Sequence, residues 1–173
     1  MISDGQELLD TVDEAGRIIG RETRERCHGD PSLIHRSVHV FVFNSDGELY
    51  LQKRSMNKDV QPGKWDTSVG GHLDLGEEYD DAAQREMEEE LGITGIEPQY
   101  LYAYLYRNPR ESEAIRMYRI VYDDPIVPDP DEISEGRFWS LGEIEGRLGQ
   151  GIFTPNFESE IRRYKKLFKR FIP

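Results

Sequence analysis

The chain has 173 residues, 36% of them hydrophobic, and a formal net charge of −12. That length suits about one domain with a real core, and so acidic a surface excludes a broad nucleic-acid-binding role, which needs a basic face. One cysteine, Cys27, excludes an internal disulfide and reads as a partly buried structural thiol in a reducing cytoplasm, while no basic-then-apolar leader and no apolar run near the ~20 residues of a membrane span is read.

Taken in chain order, Leu8 to Val12 and Arg17 to Gly20 read as a small hairpin (about 7–22) that turns at Asp13-Glu14-Ala15-Gly16. A short helical or looped stretch covers 22–33. Val38, Val40 and Val42 alternate with His39, Phe41 and Phe43. Both sets are largely apolar, which predicts a strand over 36–43 buried on both faces. Ser45-Asp46-Gly47 turns into a strand over 48–54, and Pro62-Gly63 closes a loop before a strand over 65–69. An acidic helix is predicted over about 78–91, with Asp80 or Asp81 in its first turn and Gly92 as its stop. Strands follow at roughly 99–107 and 115–122, then a loop through the three prolines of 123–136. Phe138-Trp139 is a short strand, and helices lie near 141–149 and 156–170. The order suits an α/β/α sandwich around a mixed sheet, one domain over 1–173.

Two stretches carry weaker signals. From Tyr100 to Tyr106, Tyr alternates with apolar residues, so one face is all Tyr. Such rings either stack on a nucleobase or straddle core and solvent. Ile161, Tyr164, Leu167, Phe168 and Phe171 form an apolar stripe with six Lys and Arg around it. This is a docking helix whose cations are solvated or answer the protein's own acidity; no membrane is expected as a partner.

The informative segment is 71–93. Gly71, Glu77, Arg85, Glu86, Met87, Glu89, Glu90, Gly92 and Ile93 fall at G-x5-E-x7-R-E-U-x-E-E-x-G-U, where U is bulky and apolar. Helix positions i, i+3 and i+4 share a face, so Glu86, Glu89 and Glu90 crowd three carboxylates that repel unless a cation sits among them. Hard oxygen ligands suit Mg²⁺ or Mn²⁺, which keep waters and bridge to phosphates. Such metals neutralise a diphosphate and deliver an activated water. Glu86 is then the candidate base, with Glu89 and Glu90 as the main ligands. Arg85 can hold a neighbouring carboxylate in its rotamer, and Gly70-Gly71 leaves a free carbonyl at Gly71 for the metal shell. Arg54, Lys58 and Lys64, with Lys53, surround the expected mouth as candidates for phosphate oxygens. Tyr104 is a further candidate substrate contact.

This spacing resembles the Nudix box, the signature of enzymes that hydrolyse a nucleoside diphosphate linked to another group. Segments 9–20, 35–54 and 58–72 resemble the Nudix branch that holds type I isopentenyl-diphosphate isomerase and its hydrolase-like relatives. With the box and the Phe138-Trp139 strand, the likeness covers most of 9–140, and it implies the Nudix fold. Isomerases of this branch carry a cysteine just before the glycine of a W-T-N-S-x-C-G-H-type segment. Here Trp65 to His72 places Gly70 there. Glycine cannot move a proton, and the isomerases have degraded boxes where this one is intact; both departures favour hydrolysis. Restoring Gly70→Cys is expected to return at most a trace of isomerase activity. The isomerases also bind one metal ion through three His and two Glu. The H-x6-H of His28 and His35, the Gly71-His72 pair and the E-x-E of Glu111 and Glu113 recur here, and Tyr104 falls near a tyrosine the family uses. The likeness therefore implies a second site suited to Zn²⁺ or Mn²⁺. The expected activity is metal-dependent cleavage of a diphosphate linkage in a nucleoside diphosphate-X or related small phosphorylated substrate, by a monomer or homodimer. Two alternatives stand beside it: an isomerase-like enzyme, and a non-catalytic nucleotide-binding module that has no need of three clustered carboxylates.

Overall fold

The computed structural model describes residues 4–57 and 60–168. Leu8–Val12 (β1) and Ile18–Thr23 (β2) form the hairpin, closed where the Asp13 carboxylate accepts the Ala15 and Arg17 N–H groups. One helical turn follows at Arg24–Cys27 (α1), capped by Thr23. It buries Cys27 completely. Burial and then the nearby Glu22 push that thiol up to about 11, so it is a packed, unreactive group.

Ile34–Phe43 (β3) is the centre of the molecule, and all ten of its residues are buried. Leu49–Arg54 (β4), Trp65–Asp66 (β5) and Val69–His72 (β6) come next. The expected single strand over 65–69 is thus two. Ser68 breaks it: its hydroxyl donates to the Tyr50 carbonyl at 2.5 Å and accepts from Val42 N at 2.9 Å. The chain thereby leaves β4, which β5 pairs, and joins β3, which β6 pairs.

The acidic helix is Tyr79–Leu91 (α2). It ends at Gly92 with φ +66°, where the N–H groups of Gly92 and Ile93 close onto the carbonyls of Glu88 and Met87. Gln99–Arg107 (β7) and Ser112–Val121 (β8) are antiparallel, and β8 runs parallel to β3 along its whole length. That pairing starts β8 earlier than expected. A register shift between Tyr100 and Tyr102 interrupts the expected Tyr face. Tyr100 is exposed, whereas Tyr102 and Tyr104 pack into the core. Ile133–Trp139 (β9) pairs with β4 and begins as soon as the prolines end, well before Phe138. Leu141–Arg147 (α3) and Pro155–Leu167 (α4) are capped by Ser140 and Thr154.

The sheet has a core on each face. Val38, Val40 and Val42 pack with Ala83, Met87 and Leu91 of α2. Phe41 and Phe43 pack with Ile144 of α3 and with Phe157, Ile161 and Tyr164 of α4. This is the α/β/α sandwich expected of the pattern. Leu167 departs from the apolar stripe, being exposed while Phe157 is buried in its place; Phe171 and the end of the expected helix over 156–170 lie outside the described residues. Among the described residues, no helix is long and apolar enough to cross a membrane.

One buried charge network ties the hairpin to β3 and to the loop before α2. Asp10 accepts from Arg36 at 2.9 Å, from Arg21 at 3.1 Å and from the Gly76 N–H at 3.0 Å, and Arg36 also donates to the Glu77 carbonyl. Burial opposes the Asp10 charge, but the Gly76 N–H, Arg21 and Arg36 outweigh it and hold the carboxyl below its ordinary value. A depressed carboxyl stabilises the fold above its unfolded pKa and loses that contribution as pH falls through the folded one. Asp10→Asn should therefore cost about 3 kcal/mol at neutral pH in urea unfolding, by leaving Arg36 buried without its counter-charge. The gap from wild type should narrow below about pH 4. A gap that is constant with pH would show that the charge of Asp10 is not what holds the network.

Candidate functional site

The inner ends of β3, β4, β6 and α2 and the turn between β7 and β8 surround one open cleft of about 1160 Å³. Its floor is the Gly70-Gly71 step in β6. The two residues face opposite ways, as neighbours in a strand must. A Cβ on Gly71 would stand 2.1 Å from the Glu86 carboxylate, and one on Gly70 would stand 2.9 Å from the His39 ring. Both positions need glycine for space.

On the α2 side, Glu86 and Glu90 are buried and Glu89 reaches the exposed mouth. Arg85 organises them. It donates twice to Glu77 at 2.9 Å, to Glu86 at 2.8 Å, to Glu89 at 3.0 Å and to the His72 carbonyl at 2.9 Å. Glu77, a box residue with no role evident from spacing, is the clamp that fixes Arg85. Glu90 accepts from Gln52 at 2.9 Å and from the Gly70 N–H at 3.3 Å. Burial pushes Glu86 up to about 7 against the pull of Arg85, and burial together with Glu86 pushes Glu90 up to about 8. Two such carboxyls ionise together at little cost when a cation lies between them. The donor set therefore fits a hard divalent ion. The Gly71 carbonyl, expected to be free, accepts from the Ser37 hydroxyl at 3.0 Å; its second lone pair keeps it a candidate ligand, and the missing Cβ gives Glu86 room.

On the opposite face, the structure brings together the residues of the expected second site. The rings of His28, His35 and His72 lie 4.9–5.2 Å apart, centroid to centroid. One nitrogen from each lies within 4.8 Å of the others. Glu111 stands 3.4 Å from His28, and Glu113 stands 3.9 Å from His35. Both ring nitrogens of His35 are buried with no hydrogen-bond partner among the described residues. Burial first, then His28, pushes His35 down to about 3, and burial and His35 push His72 well down. The Nε2 atoms of His28 and His72 lie 3.3 Å apart, and a neutral imidazole such as that of His35 is what a Zn²⁺ or Mn²⁺ site requires. Burial raises Glu113 to about 7, with His39 pulling the other way.

The candidate phosphate cations are not gathered in this way. Arg54 lines the cleft, but it donates to the Val60 carbonyl at 2.9 Å and to Asp66 at 3.2 Å. Lys53 pairs with Glu135 across the β4–β9 ladder. Lys64 does not line the cleft, and Lys58 lies outside the described residues. Tyr104 is also turned away: its hydroxyl bonds Glu160 at 2.6 Å and Asn156 at 3.1 Å, and Tyr106 lines the cleft instead. Sequence reasoning missed Gln52, Ser37 and the His39–Glu160 pair. Glu160 is 121 positions from His39, and no local spacing marks such a contact. Burial works against charge on His39, but Glu160 outweighs it and pushes the imidazole up to about 9. A cysteine at position 70 would meet this ring. Gly70 is thus a fitted residue, and the trace of isomerase activity expected of Gly70→Cys would require the His39 ring to shift.

The NUDIX domain family matches residues 33–157. An uncharacterised Nudix hydrolase of Streptomyces coelicolor is 34% identical over 167 residues, covering 95% of this chain and 92% of that protein. The isopentenyl-diphosphate Delta-isomerase 1 of Photorhabdus laumondii is 31% identical over 157 residues, covering 86% and 89% of the two chains. The crystal structure of a Deinococcus radiodurans protein superposes with a TM-score of 0.80 at 28% identity, covering 91% of this chain and 98% of that one. The matched span contains the glycine step, the clamped glutamates of α2 and the central strand, and the chain belongs to the Nudix family as a Nudix-type hydrolase.

Proposed function

We propose that the protein uses Mg²⁺ or Mn²⁺ to cleave a diphosphate linkage in a nucleoside diphosphate-X or related small phosphorylated substrate. The observation that carries this reading is the buried Glu86–Glu90 pair facing the glycine step, two carboxyls raised by burial in a cleft that opens to solvent. A divalent cation bound there would neutralise the diphosphate and open its phosphorus to attack. Glu86 and Glu90 supply oxygens from the inner wall and Glu89 from the mouth. Arg85, clamped by Glu77, keeps Glu86 in the rotamer from which it takes the proton of the attacking water. Gln52 and the Gly70 N–H fix Glu90 in the same way.

A phosphate-release screen tests the reading with nucleoside di- and triphosphates, nucleotide sugars, dinucleotides and prenyl diphosphates, each with Mg²⁺ and with Mn²⁺. Glu90→Gln keeps the size and removes the charge, so the fold should persist while the rate falls on the order of 10²–10⁴. Turnover at the wild-type rate in this variant would contradict the assignment.

One observation favours an isomerase-like reading, the His28, His35 and His72 cluster with Glu111 and Glu113. We assign that cluster instead to a second metal site of the hydrolase, suited to Zn²⁺ or Mn²⁺, because Gly70 supplies no thiol. Protein purified without chelator should contain this metal by elemental analysis, and the His35→Ala/His72→Ala variant should have lost it. Equal metal content in the two proteins would remove the second site.

A further inference from the structure

The buried imidazole of His39 has no part in the reading above, yet three elements converge on it. On β3 it lies opposite Gly70 of β6, and it points to the face that α4 covers. There its Nδ1 meets Oε1 of Glu160, a fully buried side chain. The same oxygen accepts from Tyr104 of β7 at 2.6 Å, and the Tyr102 hydroxyl donates to the Glu160 backbone carbonyl at 3.2 Å. Burying an ion pair is costly, and an apolar side chain fills space more cheaply. Phe41 and Phe43, the next positions on this face, do just that. The ring is therefore anchored for something other than packing.

Its second nitrogen shows what that is. Nε2 makes no hydrogen bond among the described residues, and it lies 3.1 Å from the point where a Cβ on Gly70 would stand. His39 and Gly70 both line the cleft. Any side chain at position 70 would close the approach to this nitrogen, and glycine leaves it open. Other cations that line the cleft have protein partners: Arg85 its glutamates, Arg54 Asp66 and Arg110 the His28 carbonyl, and Arg24 is also engaged. An acidic cleft needs a donor for an anionic substrate beyond its metal, and His39 is placed to be one.

We propose that His39 is a substrate-binding residue of this hydrolase, with Nε2 bonding a phosphate oxygen at the glycine step, on the side of the sheet away from α2. Glu160 is the positioning residue behind it, held in turn by Tyr104. The proposal rests on the diphosphate reading above and names a contact made within it.

The test uses the full chain with [¹⁵N]-imidazole histidine labels, Mg²⁺, and imidodiphosphate as a diphosphate that resists hydrolysis. In the wild type, the Nε2 resonance of His39, assigned by its loss in His39→Gln, should move on titration. In calorimetry, His39→Gln should weaken binding on the order of tenfold or more, the loss of one charge-assisted hydrogen bond. Glu160→Gln keeps an acceptor for Nδ1 and should weaken it less. Binding that leaves Nε2 unmoved and His39→Gln at full affinity overturns this proposal and leaves the metal–diphosphate reading standing. Failure of the wild type to bind imidodiphosphate with Mg²⁺ overturns both. The shift is measured on the wild-type protein, so the outcome does not depend on a variant's stability.

Discussion

Two glycines set the limits of everything else in the cleft. At Gly70 and Gly71, β6 passes between a carboxylate wall and an imidazole, with no space for a Cβ on either side. The close approach lets the Gly70 N–H reach Glu90 and lets Glu86 lie against the strand. It also makes the two sides interdependent, because both are built on the same four residues of backbone. A side chain larger than hydrogen at either position forces one wall to move.

Charge explains why the walls need so much support. The protein is strongly acidic, and its acidity is concentrated on α2. Glu86 and Glu90 are buried on that helix with their carboxyls raised. Arg85 restrains the set by bonding Glu77, Glu86 and Glu89 at once. On the other face the imidazoles of His35 and His72 are pushed down and the carboxyl of Glu113 is raised. Desolvation is the common cause, and it is imposed by the sandwich rather than by any single residue.

Much of this was legible in the residue order, and the dividing line is physical. Features set by near neighbours came through: α2 with its Gly92 stop, the doubly buried β3, the hairpin turn at Asp13, the presence of α3 and α4. Their signals are helical spacing, alternation and turn chemistry, all local. Features set by tertiary partners did not. Ser68 divides one strand into two by bonding β3 and β4. The register shift beside Leu101 buries Tyr102 and turns Tyr104 to α4. β9 starts early because β4 offers it an edge. In the site, the box positions and the histidines were readable from spacing and resemblance. The fate of Arg54, which is taken up by Asp66, and the pairing of His39 with Glu160 were not, since each depends on which distant element arrives beside it.

The central claim is that Glu86 and Glu90 hold a divalent metal against a diphosphate at the glycine step. The most direct measurement is an anomalous difference map at the manganese edge, from crystals grown with Mn²⁺ and imidodiphosphate. The account predicts a peak between the Glu86 and Glu90 carboxylates, bridged to the phosphate oxygens above Gly71. Diphosphate bound in the cleft with no peak between those two carboxylates would contradict it.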